Sequence, residues 1–403
     1  MTNYLALERA VRSAAPHALL DAVRDALVQF YQVLAVDLLM ADYSLRVLQP
    51  VTALPHTGAG LAVRSSAPGR AFGSQRPVLE PAAPMPGEGE TVVVHVPVSV
   101  RGDRLGVLSV CLPAHAADAA AVAELEQVAA LLGHEIVVAE RDTDLYLQAR
   151  RVARLTLAAE MQWQLLPGRS CARAEYAIGA QLEPAYAIYG DNFDWAATAE
   201  TLTVSVTNGM GEGIGASLLT NLAVNALRNA RRAGIGIADQ AALADQALYA
   251  QYRGSAYVSS LLMCFELATG KAAIVDAGSP QLWRQRGKSV ERVPFDAQLP
   301  LGMFEETAYA AQSFQVLPGD RLVIVSDGVY DTSSPHGERY GESALARAIG
   351  AATLLPAADV PGVILHELAD YRSADAADDA LVLCLDWAGR GGSAVSSQPL
   401  ATT

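Results

Sequence analysis

The strongest constraint on the fold is a set of four short acidic motifs, each placed where a strand should end. They read Gly190-Asp191-Asn192-Phe193-Asp194, Asn208-Gly209-Met210-Gly211-Glu212-Gly213, Ser326-Asp327-Gly328-Val329-Tyr330-Asp331, and Asp378-Asp379. Hard divalent cations such as Mg²⁺ and Mn²⁺ take oxygen ligands and keep several of their waters. A few carboxylates at strand ends can hold two such ions and leave a water between them to attack a phosphate. A chain that uses this pattern must bring the ends of distant strands to one place. The second of these motifs begins with an amide, Asn208, where the other three carry an aspartate.

Charge narrows the function. Net charge is −14, and a general nucleic-acid binder needs a basic face to displace counterions. Of the 29 basic residues only Lys271 and Lys288 are lysines, which reads as coding bias and not as a functional signal. The 403 residues leave room for two or three domains, and 51% apolar residues for a sizeable core. Cys111, Cys171, Cys264 and Cys384 include no Cys-x-x-Cys pair, which argues against zinc and against a disulfide framework. Met1 to Ala10 carries Glu8 and no long apolar stretch, so no signal peptide is visible, and no window of about 18 apolar residues suits a membrane span. A soluble cytoplasmic protein, bound to neither nucleic acid nor membrane, is the expectation.

Along the chain, Leu19, Leu20, Val23, Leu27 and Phe30 recur at helical spacing after a break at Pro16. Val36 to Val51 alternates like a strand pair turning near Asp42-Tyr43. A looser stretch rich in Gly, Pro and Ser runs to residue 89. Thr91 to Val100 and Arg104 to Cys111 read as strands flanking the turn Arg101-Gly102-Asp103. This order suggests a small α+β sensor domain over 1–115 and resembles a GAF domain. Gly58-Ala59-Gly60-Leu61 through Arg70-Ala71-Phe72 is similar to its central loop and helix, and Val94 to Val98 with Gly106 to Val110 to its closing hairpin. His56 and His95 either line a ligand pocket or serve the core.

From Ala116 to Leu166 there is no Pro and a single Gly, so residues 116–167 read as a helical linker. Val122, Leu125, Ala129, Leu132, Ile136, Ala139, Thr143 and Tyr146 follow a 3-4 alternation. Either this face packs on its own domain, or it is a coiled-coil seam that joins two subunits into a homodimer. Pro167 stops the helix. Residues 168–390 then read as antiparallel strands with helices in two blocks, an α-β-β-α sandwich. Strands are expected at 176–182, 201–206, 256–267, 271–276, 281–286, 289–293, 321–325 and 380–386. Helices are expected at 216–233, 239–252, 342–351 and 360–371. The tail 391–403 reads as disordered.

Gln162-Trp163-Gln164-Leu165-Leu166-Pro167 is similar to the element that precedes the catalytic domain of SpoIIE-like bacterial phosphatases. Beyond it, Gly190-Asp191-Asn192-Phe193-Asp194, Asn208 to Gly213, Ala277-Gly278-Ser279-Pro280, Pro300-Leu301-Gly302, Pro318-Gly319-Asp320, Ser326-Asp327-Gly328 and Asp378-Asp379 follow in the order of that family's landmarks. The chain resembles metal-dependent serine/threonine phosphatases of the PPM (protein phosphatase 2C-like) class, SpoIIE-like branch. The resemblance implies that Asp191, Asp327 and Asp378 carry catalysis as metal ligands, together with Asn208 and the carbonyl of Gly209. Asp194, Asp331 and Asp379 would stand in the second shell or at a weak third ion. It implies two Mn²⁺ or Mg²⁺ ions, or one where Asn208 weakens the site.

Asn208 departs from the pattern, because an amide brings no negative charge and cannot bridge two ions as a carboxylate does. Ser279 stands where the family has a histidine. The expected function is hydrolysis of phosphoserine or phosphothreonine on a regulatory protein under sensor control. The resemblance implies a STAS-type anti-sigma-factor antagonist as partner. The alternative is a pseudophosphatase, a binding module with a weakened metal site. Cys384 and Arg390 match a Cys-x5-Arg spacing, but Cys384 falls inside an expected strand. Gly190-Asp191-Asn192-Phe193 is superficially similar to a diguanylate-cyclase signature, which leaves the later motifs unexplained.

Overall fold

The computed structural model describes residues 2–51, 60–82, 89–187, 189–372 and 378–390. His56, Gly58 and Ala59 of the expected sensor loop, and the tail 391–403, lie outside the described residues. The chain divides into two compact units, Met1–Arg154 and Leu155–Thr403.

The first unit runs α1 (Thr2–Ser13), a 3-10 turn (Pro16–Ala18), α2 (Leu19–Tyr31), β1 (Ala35–Ala41), β2 (Val47–Pro50), β3 (Leu61–Ala62), α3 (Ala67–Ser74), β4 (Val78–Pro81), β5 (Thr91–Val100), β6 (Asp103–Pro113), α4 (Ala119–Ala139) and α5 (Leu145–Ala149). Its antiparallel sheet has the order β3-β2-β1-β6-β5-β4. Side chains alternate across a strand. Val36, Leu38, Met40, Val94, Val96 and Val98 therefore pack under α1, α2 and α4, while Leu39, Ala41 and Val107 face α3. Arg101 and Gly102 both have positive φ (53° and 95°), the twist that a two-residue hairpin loop needs.

Residues 116–167 are not one helix. α4 ends at Ala139, α5 follows after a turn, and α6 spans Leu157–Leu165. Thr156 caps α6, its Oγ1 accepting from the Ala159 N–H (3.1 Å), and in the turn before α5 Thr143 Oγ1 accepts from the Leu145 N–H (3.3 Å). The 3-4 alternation is spent within the unit. Leu125, Ala129, Leu132, Ile136, Ala139 and Tyr146 are all buried in its own core, and the Tyr146 hydroxyl donates to Pro16 O (2.9 Å). Pairing two subunits through these residues would have to displace that core.

The second unit runs α6, β7 (Ser170–Ala172), β8 (Tyr176–Glu183), β9 (Asp191–Ala197), β10 (Thr201–Gly209), α7 (Gly213–Arg232), α8 (Ile237–Tyr252), β11 (Val258–Glu266), β12 (Lys271–Ala277), β13 (Gln281–Arg286), β14 (Ser289–Val293), β15 (Gln312–Gln315), β16 (Arg321–Val325), α9 (Asp327–Tyr330), α10 (Tyr340–Ser343), α11 (Leu345–Ala351), α12 (Val360–Tyr371) and β17 (Ala380–Trp387). Two antiparallel sheets form, β15-β12-β11-β10-β9 and β14-β13-β16-β17-β8-β7.

Alternation again assigns the layers. Leu262, Val275 and Ala277 meet Leu219, Ala223 and Leu227 of α7 and Ala241 and Leu248 of α8. Val323, Val325, Val382 and Cys384 meet α11 and α12. The intervening residues, among them Val204, Val206, Met263, Ile324 and Leu383, are fully buried between the sheets, where Phe265 and Trp387 approach to 5.6 Å. The result is the expected α-β-β-α sandwich.

The strands β7, β9 and β15 were not expected from the sequence. β9 shows no clear apolar alternation because buried polar residues stand on both of its faces at its start. Asp191 and Phe193 point between the sheets, while Asn192 and Asp194 point toward the helices.

Candidate active site

The sandwich brings the motif-bearing strand ends to one edge. Asp191 opens β9 and stands directly opposite Asn208 of β10 in the antiparallel register. Asp327 is the first residue of α9, immediately after β16, and Asp378-Asp379 lead into β17, the neighbour of β16.

The segments meet backbone to backbone, which explains their glycines. A Cβ on Gly190 would lie 2.2 Å from Gly209 O, and one on Gly328 would lie 1.8 Å from Asp379 O. A Cβ on Gly209 would lie 2.2 Å from Thr220 Oγ1, which itself donates to Gly190 O (2.8 Å). The Gly209 N–H donates to the same carbonyl (3.1 Å). Only residues without side chains allow this approach.

Asp191 is buried, at 1% exposure. Its Oδ2 has no hydrogen-bond partner, and the nearby Ser326 hydroxyl acts to lower its pKa. Burial holds its pKa well above the usual carboxylate range, and the charges of Asp379, Asp327 and Asp378 add to the shift. Burial likewise raises Asp327, with Asp378 as the next contributor. Asp378 is exposed, accepts the Asp379 N–H at Oδ1 (2.8 Å), and is raised by desolvation and by Glu212. Asp379 is pushed up to about 7, by burial first, against the opposing effect of backbone N–H donors.

Asn208 completes the group in an unexpected way: its Nδ2 donates to Asp327 Oδ1 at 2.6 Å. Among the described residues no three acidic, histidine or cysteine side chains close on one point as a ready-made cage. The donor set nevertheless fits a hard cation. Carboxylate oxygens of Asp191, Asp327 and Asp378 share one electrostatic neighbourhood, and Asp191 Oδ2 is buried and unsatisfied. A dication placed among them would relieve both the repulsion and the orphaned oxygen.

Two expected residues are engaged elsewhere. Asp194 lies on the helix side of β9, paired with Arg228 (2.7 Å) and Arg231 (2.8 Å) of α7. Asp331 is half exposed and pairs with Arg339 (3.0 Å). At position 279 the Ser carbonyl accepts from the Tyr330 hydroxyl (2.8 Å). Cys384 is fully buried in β17 and its thiol is pushed up by burial, so it offers no thiolate nucleophile.

Sequence reasoning missed Ser326, Glu212, Thr220 and Gln162. Gln162 of α6 accepts from Asn192 Nδ2 (3.0 Å), and Arg228 also donates to Leu165 O (2.6 Å), which seats α6 against the start of β9. The signal for Ser326 was present in the motif itself, as the hydroxyl immediately before Asp327.

Residues 198–388 match the family model of stage II sporulation protein E (SpoIIE). That segment holds Asn208, Asp327 and Asp378 but begins after Asp191. No curated protein matches the chain. Among solved structures it is similar, at 20% identity, to the PP2C phosphatase domain with a fragment of the regulatory domain of SpoIIE from Bacillus subtilis (54% of this chain, 65% of that one, TM-score 0.47). It is similar at 21% identity to the RsbU and RsbW domains of a Mycobacterium tuberculosis protein (55% and 63%, TM-score 0.49). At 20% identity it is similar to the SiaA-PP2C domain of Pseudomonas aeruginosa (57% and 93%, TM-score 0.49). The chain thus spans just under two thirds of the first two proteins.

Proposed function

We propose that the second unit, whose residues 198–388 match the SpoIIE family model, hydrolyses phosphoserine or phosphothreonine on a regulatory protein in a metal-dependent reaction. The observation that carries this reading is the buried, unsatisfied Asp191 Oδ2 beside Asp327 and Asp378, a site short of positive charge. Mn²⁺ or Mg²⁺ suits such oxygen donors. Asp191, Asp327 and Asp378 would hold it, with Asn208 Oδ1 available if the amide turns away from Asp327.

Bound there, the ion supplies a water of lowered pKa and offsets charge on the phosphoryl oxygens. The protein's own residues hold the geometry. The glycine contacts keep the segments close enough to share a ligand, and the Ser326 hydroxyl accepts the Leu381 N–H and so ties the end of β16 to β17. The buried wall excludes water behind the site, and the exposed Asp378 faces the side from which a phosphoprotein arrives. A small STAS-type phosphoprotein is the partner that suits this reading, and the first unit, a GAF-like sensor, would control the reaction.

One observation favours a second reading. The Asn208–Asp327 hydrogen bond occupies a ligand oxygen with a neutral donor, as a pseudophosphatase would. Phosphate release from a phosphoserine protein, measured against Mn²⁺ concentration, separates the two. Turnover in the wild type that disappears in Asp327→Asn supports the enzyme. A silent wild type whose Asn208→Asp variant turns over establishes the binding module. Silence of both overturns the phosphatase reading.

A further inference from the structure

Asp379 was expected as a second-shell group or a weak third-ion ligand, and its contacts describe a different task. Its Oδ2 accepts three consecutive backbone N–H groups, those of Tyr189 (2.5 Å), Gly190 (2.9 Å) and Asp191 (3.2 Å). These belong to the segment that opens β9 in one sheet, whereas Asp379 leads into β17 of the other. Successive amides converging on one carboxylate oxygen form an anion nest, and bonds to a charged acceptor are the strong ones.

The same residue touches the other two ligand-bearing segments. Its carbonyl oxygen lies where a Cβ of Gly328 would be, 1.8 Å from that ideal position, so the turn after Asp327 rests on it. Its N–H donates to Asp378 Oδ1 (2.8 Å). It is 1% exposed; its Oδ2 is committed to three donors, and its Oδ1 is buried with no hydrogen-bond partner.

We propose that Asp379 is a positioning residue that gathers Asp191, Asp327 and Asp378 into one site from across the two sheets. It acts through Oδ2 and its own backbone, whether or not its unpartnered Oδ1 also reaches a cation. Its importance for catalysis rests on the phosphatase reading above, while the anchoring of residues 189–191 does not.

The test uses the full chain in three forms: wild type, Asp379→Ala and Asp379→Asn. Asparagine keeps the shape and one oxygen acceptor, so it guards against simple misfolding of the alanine variant. In metal-free protein, hydrogen exchange of the peptide covering residues 186–195 reports the nest, with residues 201–206 of β10 as internal reference. Asp379→Ala should exchange faster at the Tyr189, Gly190 and Asp191 amides, with Asp379→Asn between it and wild type. Unchanged protection in Asp379→Ala overturns the proposal.

Mn²⁺ titration by calorimetry adds the second readout. Removing an outer-shell orienting group costs about 10–100-fold in metal affinity, and asparagine should recover part of that loss. If asparagine is as damaging as alanine while exchange is unchanged, Asp379 is a ligand and the proposal fails. If wild type binds no Mn²⁺, the phosphatase reading fails, and the exchange result still decides the anchoring.

Discussion

Asp42 and Asp191 are both buried aspartates at the end of a strand, one in each unit, and their surroundings differ in one respect. Asp42 is fully satisfied by its own turn. Its Oδ1 accepts the Arg46 and Val47 N–H groups (both 2.8 Å), and its Oδ2 accepts the Ser44 N–H (2.9 Å) and hydroxyl. Asp191 has an orphaned Oδ2 and three acidic neighbours. A satisfied buried carboxylate belongs to the fold, whereas an unsatisfied one among like charges points to a missing cation.

Substitution at these two positions sharpens the contrast most. Asp191→Asn should lower Mn²⁺-dependent phosphate release on the order of 100-fold or more, since a ligand charge is lost. In metal-free protein the same change should leave the second unit equally or more stable, because a buried unpaired charge is removed. A clear fall in metal-free melting temperature would make Asp191 structural, and the comparison would break. Asp42→Ala should cost the first unit about 2–3 kcal/mol in urea unfolding, because buried N–H donors lose their acceptor.

Gly328→Ala tests how tightly the site segments meet. Overpacking against Asp379 O should cost about 1–3 kcal/mol in the second unit. An unchanged stability would show that the α9 turn can shift freely.

The smallest effects are in pH dependence, and they should have opposite signs in the two units. Asp379 is raised to about 7 from an ordinary 3.8, so the folded state keeps a proton that the unfolded chain releases between those values. Its contribution is complete below 3.8 and is lost as pH rises through about 7. In the first unit, burial lowers the pKa of His95, whose ring meets Ser109 Oγ (2.8 Å) and Glu80 Oε1 (3.3 Å). The unfolded chain then takes up its proton first, so that contribution is present above 6.5 and shrinks as pH falls below it. Scanning calorimetry in chelator from pH 5 to 8 should show the first unit's transition rising and the second unit's falling. Transitions that move together would refute the distinction.

Much of the second unit was legible because its strands alternate or run apolar between clear turns, and because the acidic motifs carry their glycines with them. β9 was not, although it carries Asp191. Its Asn192 and Asp194 are buried against partners from α6 and α7, Gln162 and the Arg228–Arg231 pair, which lie far away in sequence. The linker misled for the opposite reason. Its regular 3-4 pattern is genuine, but periodicity states that a face is buried and not what buries it. Thr156, the N-cap of α6, marked one of the breaks.

The sequence by itself determined which residues are acidic, where backbones must approach without side chains, and that position 208 lacks a charge. These are local properties, set by residue type and spacing. Only the tertiary structure decided that Asp194 faces arginines and not the site, that Asp379 spends its oxygen on backbone amides, and that Asn208 turns its amide to Asp327. Each of those outcomes depends on which partner arrives from a distant strand or helix, and partnership across a fold is not encoded in any one segment.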